Sequence, residues 1–372
     1  MEKIFVTKSY LPPMEEYIEK ISSIWDSHIL TNFGPLHKKF EKEMMKYLDI
    51  SNLHYVNNGT TALELAINSL GDGSGEIITS PFTFVATASA IMWQKYKPIF
   101  VDINPCSFNI DPNKIEEKIN DNTKAIVAIH CFGYPCDVDK INDISKKHNV
   151  PVIYDAAHTF GVKYRNDSLL KYGDISICSL HATKVFHSIE GGLCVVNNPL
   201  YNDKINAEKN FGMHDGSYEY IGINAKASEF HAAMGLCMLK HISEIISYRK
   251  AVSNLYRDLL HEDLFIPDIP NNLEYNYIYF PVVFPCEEIL EDVVKALNQE
   301  NIFPRRYFYP CINEFSIYGN LNNTPTASDI SKRVLCLPLD TYINDTQVRR
   351  ICEIINECIN RKNKIYKLGN MN

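Results

Sequence analysis

No stretch of this sequence is apolar over the ~20 residues that a membrane-spanning helix needs. The opening MEKIFVTKSYLPP also lacks the apolar centre of a secretion signal. A soluble, cytoplasmic chain is therefore expected. There is no CxxC pair, and the eleven cysteines are scattered, several of them inside apolar runs such as ISICSL and LCVV. That pattern predicts reduced, buried thiols rather than a disulfide framework. Cys131, Cys136 and His130 come nearest to a zinc site, but their spacing is poor and no second ligand pair follows, so no metal is expected. An excess of positive charge is missing as well. The 37 basic and 45 acidic residues leave −8, which argues against a nucleic-acid-binding surface and leaves room for a local basic pocket. The stretch GDGSG is not GxGxxG and follows no strand, and a P-loop is absent, so the usual nicotinamide and NTP fingerprints are lacking. Neither internal repeats nor low-complexity segments occur.

What is present is ordinary globular material: 372 residues, 45% apolar and 22% charged, enough for a large core and two domains. Short apolar runs alternate with helical patterns. LHYV, EIIT, PIFVDI, KAIVAIH and VPVIYDAAH read as strands. NNGTTALELAINSL, FVATASAIMWQ and DVDKINDISKKH read as helices. This alternation predicts an α/β fold with a mostly parallel central sheet covered on both faces, with ligand residues gathered at the carboxyl ends of its strands. From Glu229 the sequence turns helical, then strand-like through YNYIYFPVVF, then helical again through EEILEDVVKALNQE and DTQVRRICEIINECI. A large domain over residues 1–240 and a smaller α+β domain over 241–372 are expected, with RKNKIYKLGNMN as a frayed tail.

Three motifs sit at the predicted strand ends. NNGTTAL places amides and hydroxyls at a helix amino end, suited either to a phosphate or to simple capping by Thr60 or Thr61. VIYDAAHTFG ends a buried strand on Asp155, a carboxylate that needs a partner there. It either bonds local amides or faces a cationic ring nitrogen, with His158 in reach of the same ligand or filling a core hydrogen bond. SLHATKVFHSIEGG carries one lysine, Lys184, among small and apolar neighbours. Desolvation turns such an amine into a nucleophile at neutral pH. Together the phosphate cradle, the strand-end acid and the lysine match what pyridoxal 5′-phosphate requires: an anchor, a carboxylate for the pyridine nitrogen and a Schiff-base amine. Phe84, in FTFVAT, supplies an aromatic ring to stack on it.

The segments LTNFGP, NNGTTALELA, SPFTFVAT, VIYDAAHTFGV, GDISICSLHATKVFHSIEGG and GINAKASEFHAAMG resemble, in order and spacing, the DegT/DnrJ/EryC1/StrS sugar aminotransferases. The likeness runs from near the start of the chain to about residue 350. It implies a pyridoxal-phosphate enzyme of fold type I in which Lys184 binds the cofactor and shuttles the proton. Asp155 would pair with the ring nitrogen, His158 would meet the ring hydroxyl and Phe84 would stack. Thr60, Thr61 and Ser179 would hold the phosphate. Asn224 would reach the cofactor of a neighbouring subunit, making the active sites shared within a homodimer. VTKSYLPP, HATKVFH and RRYFYP resemble the members that aminate C4 of dTDP-4-keto-6-deoxy-D-glucose with L-glutamate; a 3-keto-6-deoxyhexose aminated at C3 is the alternative. Some relatives carry histidine in place of the lysine and dehydrate the sugar, but Lys184 is present here. Arg305, Arg306 and Tyr309 would meet the diphosphate and the sugar, or else form a solvated basic turn. Asn32 of LTNFGP would line the same site. SIEGG departs from the GEGG of many relatives at Ser188 and Ile189. The resemblance assigns no role to His181 or His187.

Overall fold

The computed structural model describes residues 3–318 and 323–369. Its centre is a sheet of seven strands: β1 (Leu53–Val56), β2 (Glu76–Thr79), β3 (Lys97–Phe100), β4 (Thr123–Ile129), β5 (Val152–Asp155), β6 (Ile175–Ser179) and β7 (Gly192–Val196). They lie in the order β1-β7-β6-β5-β4-β2-β3. The pairs β6/β5, β5/β4, β4/β2 and β2/β3 are parallel. β7 runs antiparallel to both of its neighbours. Strands β1, β5 and β7 are buried throughout, as near-continuous apolar runs must be when helices cover both faces.

The helices begin where side-chain oxygens meet orphan amides. In α3 (Gly59–Asn68) the cap is Asn58, whose side chain accepts from Thr61 N. Capping by Thr60 or Thr61 is thus corrected by two or three residues, which leaves both threonine hydroxyls free of that task. Asp137 caps α5 (Val138–His148), and Ser228 caps α6 (Glu229–Leu259). A longer-range cap starts α2 (Pro35–Leu48). The buried carboxylate of Glu229, at the head of α6, accepts from Leu36 N and His37 N, both at 2.8 Å. Gly34 makes room for it, since a Cβ there would lie 2.6 Å from the carboxyl carbon. LTNFGP is thereby locked to KASEF. α1 (Met14–Ser27) packs along α6 beside it, and α4 (Val85–Trp93) packs on α3.

Beyond α6 comes a two-stranded antiparallel sheet, β8 (Phe280–Val283) and β9 (Val334–Leu337). Helices α7 (Glu287–Gln299), α8 (Pro325–Arg333) and α9 (Asp345–Gly369) accompany it. The strand expected over YNYIYFPVVF is found only in its second half. Tyr277 sits at φ +53, outside strand geometry, and breaks the first half. α9 also continues through most of the segment expected to fray. No helix among the described residues is long and apolar enough to cross a membrane. No group of three or more His, Cys, Asp or Glu among them is placed to hold a metal. His130 Nδ1 instead accepts from Cys136 N at 3.0 Å, and the Cys136 thiol donates to Ile129 O.

Candidate active site

The carboxyl ends of β1, β2, β5 and β6 open on one side of the sheet, where such folds bind ligands. Asp155 ends β5 and is buried. Its Oδ2 accepts from Thr87 Oγ1 at 2.8 Å and its Oδ1 from Ala157 N at 3.2 Å. Thr87 is itself 3.1 Å from the hydroxyl of Thr83. Burial raises the proton affinity of Asp155 above the usual carboxylate range, while the Thr87 and Ala157 bonds and the Lys184 charge pull it back. So placed, a carboxylate calls for a cation. Sequence reasoning missed Thr83 and Thr87, whose only signal is two hydroxyls four residues apart across an apolar helix start.

Lys184 lies in the loop from β6 to β7. Its neighbours fix it: Val185 and Phe186 are buried, and the Phe186 ring stacks on Phe160 at 4.0 Å. The loop closes through Ser188 N to Leu180 O and Leu180 N to Gly191 O. Tyr55 adds a hydroxyl bond to Ser188 Oγ at 3.0 Å. The Lys184 amine stands 5.9 Å from the centre of the Tyr279 ring. Burial lowers its proton affinity, and the Asp155 charge only partly offsets this. A primary amine that gives up its proton more easily than usual, next to an acid that holds one more easily, suits nucleophilic and proton-transfer chemistry.

His158 is buried beside them. Its Nδ1 accepts from Phe132 N at 3.2 Å, so a neutral ring carries its proton on Nε2. Burial and the Lys184 charge hold its proton affinity far below the ordinary imidazole value. At the end of β6, Ser179 packs tightly on the start of α3. A Cβ on Gly59 would lie 2.9 Å from Ser179 Cβ and 3.2 Å from its hydroxyl, and one on Gly192 would strike Asn58 O at 2.3 Å. Two glycines therefore keep this cradle narrow. The amides of Gly59 and Thr60 head α3 with no intrahelical partner.

The remaining expected residues are spread more widely. Phe84 heads α4 and is 59% exposed. Asn224 is exposed, while its carbonyl accepts from Asn57 Nδ2 at 3.4 Å beside the cradle. Asn32 is an exposed residue at φ +61 in the loop tied to α6. Arg305 is exposed, and its backbone pairs with Cys336. Arg306 bonds Glu287 Oε1 and Lys332 O, both at 2.7 Å, and lies 3.4 Å over the Tyr309 ring. Its guanidinium is thus occupied within the smaller sheet's surroundings. Tyr307 is the member of RRYFYP that neighbours Lys184, 5.4 Å ring to ring from Tyr279. The two loop histidines also find places. His187 Nε2 donates to Tyr10 O at 2.7 Å and its Nδ1 accepts from Ile189 N, so it pins the amino-terminal VTKSYLPP to the lysine loop. His181 bonds Thr183 Oγ1 at 2.9 Å and lies 3.6 Å from Glu190.

Known proteins resemble this chain in sequence and fold. The dTDP-4-amino-4,6-dideoxy-D-glucose transaminase of Shigella dysenteriae is 42% identical over 368 residues, covering 96% of this chain and 100% of that protein. The Escherichia coli protein of the same name is 36% identical over 363 residues, covering 94% and 97%. Among solved structures, DesI in the presence of its TDP-sugar product matches with a TM-score of 0.93 at 28% identity, over 100% of this chain and 96% of that one. The expected fold type I architecture is the one found, and the profile of one family matches residues 13–356. The chain belongs to the DegT/DnrJ/EryC1/StrS aminotransferase family.

Proposed function

We propose that this aminotransferase converts dTDP-4-keto-6-deoxy-D-glucose to dTDP-4-amino-4,6-dideoxy-D-glucose with L-glutamate as amino donor and pyridoxal 5′-phosphate as cofactor. The observation that carries the reading is the placement of Lys184, an amine of lowered proton affinity, where its charge acts on the buried carboxylate of Asp155 at the end of β5. The names of the Shigella and Escherichia relatives support the sugar. Their level of identity over nearly the whole chain supports the choice of C4 over C3.

The residues present fit the cofactor. The narrow cradle of Gly59, Thr60, Thr61 and Ser179 suits a phosphate, since unpaired amides and a helix amino end favour an anion. Asp155 would take the ring N–H, His158 Nε2 would face the ring hydroxyl, and Phe84 would cover the ring. When bound, pyridoxal phosphate supplies an electron-withdrawing ring that stabilises negative charge at the carbon losing its proton. Asp155 keeps that withdrawal strong by holding the nitrogen protonated. Lys184 Nζ removes the proton from Cα of glutamate in one half-reaction and delivers a proton to C4 of the sugar in the other. Tyr279, buried at its side, limits water. Arg305, Tyr309 and Asn32 would face the nucleotide sugar, while the ion pair of Arg306 with Glu287 favours a supporting role for that residue.

The same reading includes a homodimer in which Asn224 reaches the partner's phosphate, and a division into residues 1–240 and 241–372. It also makes the product a unit for lipopolysaccharide O-antigen. Incubation with glutamate and the dTDP-linked 4-keto and 3-keto sugars, followed by NMR of the product, tests the chemistry. Nitrogen at C4 is expected; nitrogen at C3, or no product from either sugar, would overturn it. Mixing Lys184→Ala with Asn224→Ala subunits should restore part of the activity, and strict absence of rescue would refute the shared site.

A further inference from the structure

The segment 275–279 reads YNYIY, has the composition of a strand, and forms none. Two of its side chains instead bond the backbone around one imidazole, that of His158. Asn276 is 0% exposed. Its Nδ2 donates to His158 O at 2.9 Å and to Phe160 O at 3.0 Å, while its Oδ1 accepts from Ile278 N at 3.1 Å. Tyr275 donates its hydroxyl hydrogen to Phe132 O at 2.6 Å, and Phe132 N is the donor to His158 Nδ1. The backbone and the ring nitrogen of His158 are therefore both tied to this one short segment.

A second residue holds the segment from behind. Arg249, buried in α6, donates from Nε to Tyr277 O at 2.8 Å and from Nη2 to Ile278 O at 2.6 Å. The left-handed turn at Tyr277 aims these two carbonyls at α6 and turns Asn276 toward His158. No salt bridge to a carboxylate forms at Arg249 among the described residues; backbone carbonyls are its partners. A guanidinium can meet two such acceptors at once because its donors are planar and fixed. The segment then runs directly into β8, so the smaller sheet and the His158 ring are mechanically joined.

We propose that Asn276 is a positioning residue that sets the cofactor-facing edge of His158, with Tyr275 and Arg249 holding it in register. This rests on the reading in which His158 Nε2 meets the ring hydroxyl of pyridoxal phosphate. Removing Asn276 leaves the His158 and Phe160 carbonyls without donors where water does not reach, so the turn must shift and Nε2 shifts with it. Plain packing predicts a different outcome: lower stability with an unchanged cofactor environment.

Asn276→Ala, Tyr275→Phe and His158→Ala are compared with the wild type well below their melting temperatures. The dissociation constant for pyridoxal phosphate is measured by equilibrium dialysis. The pH midpoint of the visible absorption of the lysine-linked cofactor is measured by titration. In cofactor-free protein, ¹⁵N-histidine NMR reads the tautomer of His158. Asn276→Ala is expected to weaken binding about tenfold, the scale of one buried hydrogen bond. It should also displace the midpoint in the same direction as His158→Ala and mix the two tautomers. Tyr275→Phe, which keeps the packing, should do the same to a smaller extent, and it decides the matter if Asn276→Ala does not fold. An unmoved midpoint in His158→Ala would sink the parent reading. A moved midpoint there with wild-type affinity, midpoint and tautomer in both other variants would overturn the positioning role alone.

Discussion

Asp155→Asn should make the cofactor-free protein more stable at neutral pH while nearly abolishing its activity. Among the described residues the Asp155 carboxylate accepts two hydrogen bonds, from Thr87 Oγ1 and Ala157 N. An asparagine keeps an oxygen for Ala157 and can donate its amide to Thr87, whose own hydrogen can turn to Thr83 at 3.1 Å. No bond is lost and a buried charge is removed. The gain is about 1–2 kcal/mol, the cost of a polar group without a full set of partners, or roughly 1–3 °C in Tm for a chain of this length. The sign follows from burial raising Asp155 above its ordinary value. The folded state binds the proton more readily than the unfolded one. The penalty is therefore absent below the unfolded pKa of about 3.9, grows as pH rises toward the raised folded value, and stays constant above it. Calorimetry of stripped wild type and variant from pH 7.5 down to 4 should show the gap closing. In a Lys184→Met background the gap at neutral pH should widen, because the ammonium that offsets the carboxylate is gone. Activity should fall on the order of 10²–10³-fold. A variant less stable than wild type at neutral pH, or a gap that ignores pH, would refute the reasoning.

Gly59→Ala should weaken pyridoxal phosphate binding by about tenfold, since overpacking of this kind costs about 1–3 kcal/mol and the new methyl would crowd Ser179. Fluorescence titration measures it, and wild-type affinity would deny the cradle. Ile189, a β-branched residue at φ +69 in SIEGG, should gain about 0.5–1 kcal/mol on substitution by glycine, the left-handed strain less the added chain entropy. A lower melting temperature would mean that its side-chain contacts outweigh the strain. His54 is buried against Lys209 and Asn202, and burial first, then the lysine, lowers its pKa to about 4. It stays neutral when folded but charges near 6.5 when unfolded, so stability drains away as pH falls from 6.5 to about 4, by about 3 kcal/mol. His54→Gln should flatten that limb by about one proton, read from urea melts at pH 7 and 4.5.

Local patterns carried the sheet. Apolar runs bounded by turn residues marked every strand of the seven, because strands buried on both faces need no cross-chain information to be recognised. NNGTTAL, Asp155 and Lys184 were legible for a related reason: small, acidic and basic residues at the ends of apolar runs stand out where packing alone would not choose them. YNYIY was misleading, since its strand-forming composition lost to Arg249, which holds the Tyr277 and Ile278 carbonyls, and to Asn276, whose hydrogen bonds reach across more than a hundred residues to His158 and Phe160. Thr87, on Asp155 from 68 positions away, left no local trace either.

By itself the sequence determined the fold class and the aminotransferase family, since both rest on apolar periodicities and motifs carried by short segments. Only the tertiary structure decided the cap at Asn58, the pinning role of His187 on Tyr10, the occupation of Arg306 by Glu287 and the approach of Tyr307 and Tyr279 to the lysine. Those assignments turn on which groups meet across distant segments, and hydrogen bonding and desolvation act through space rather than along the chain.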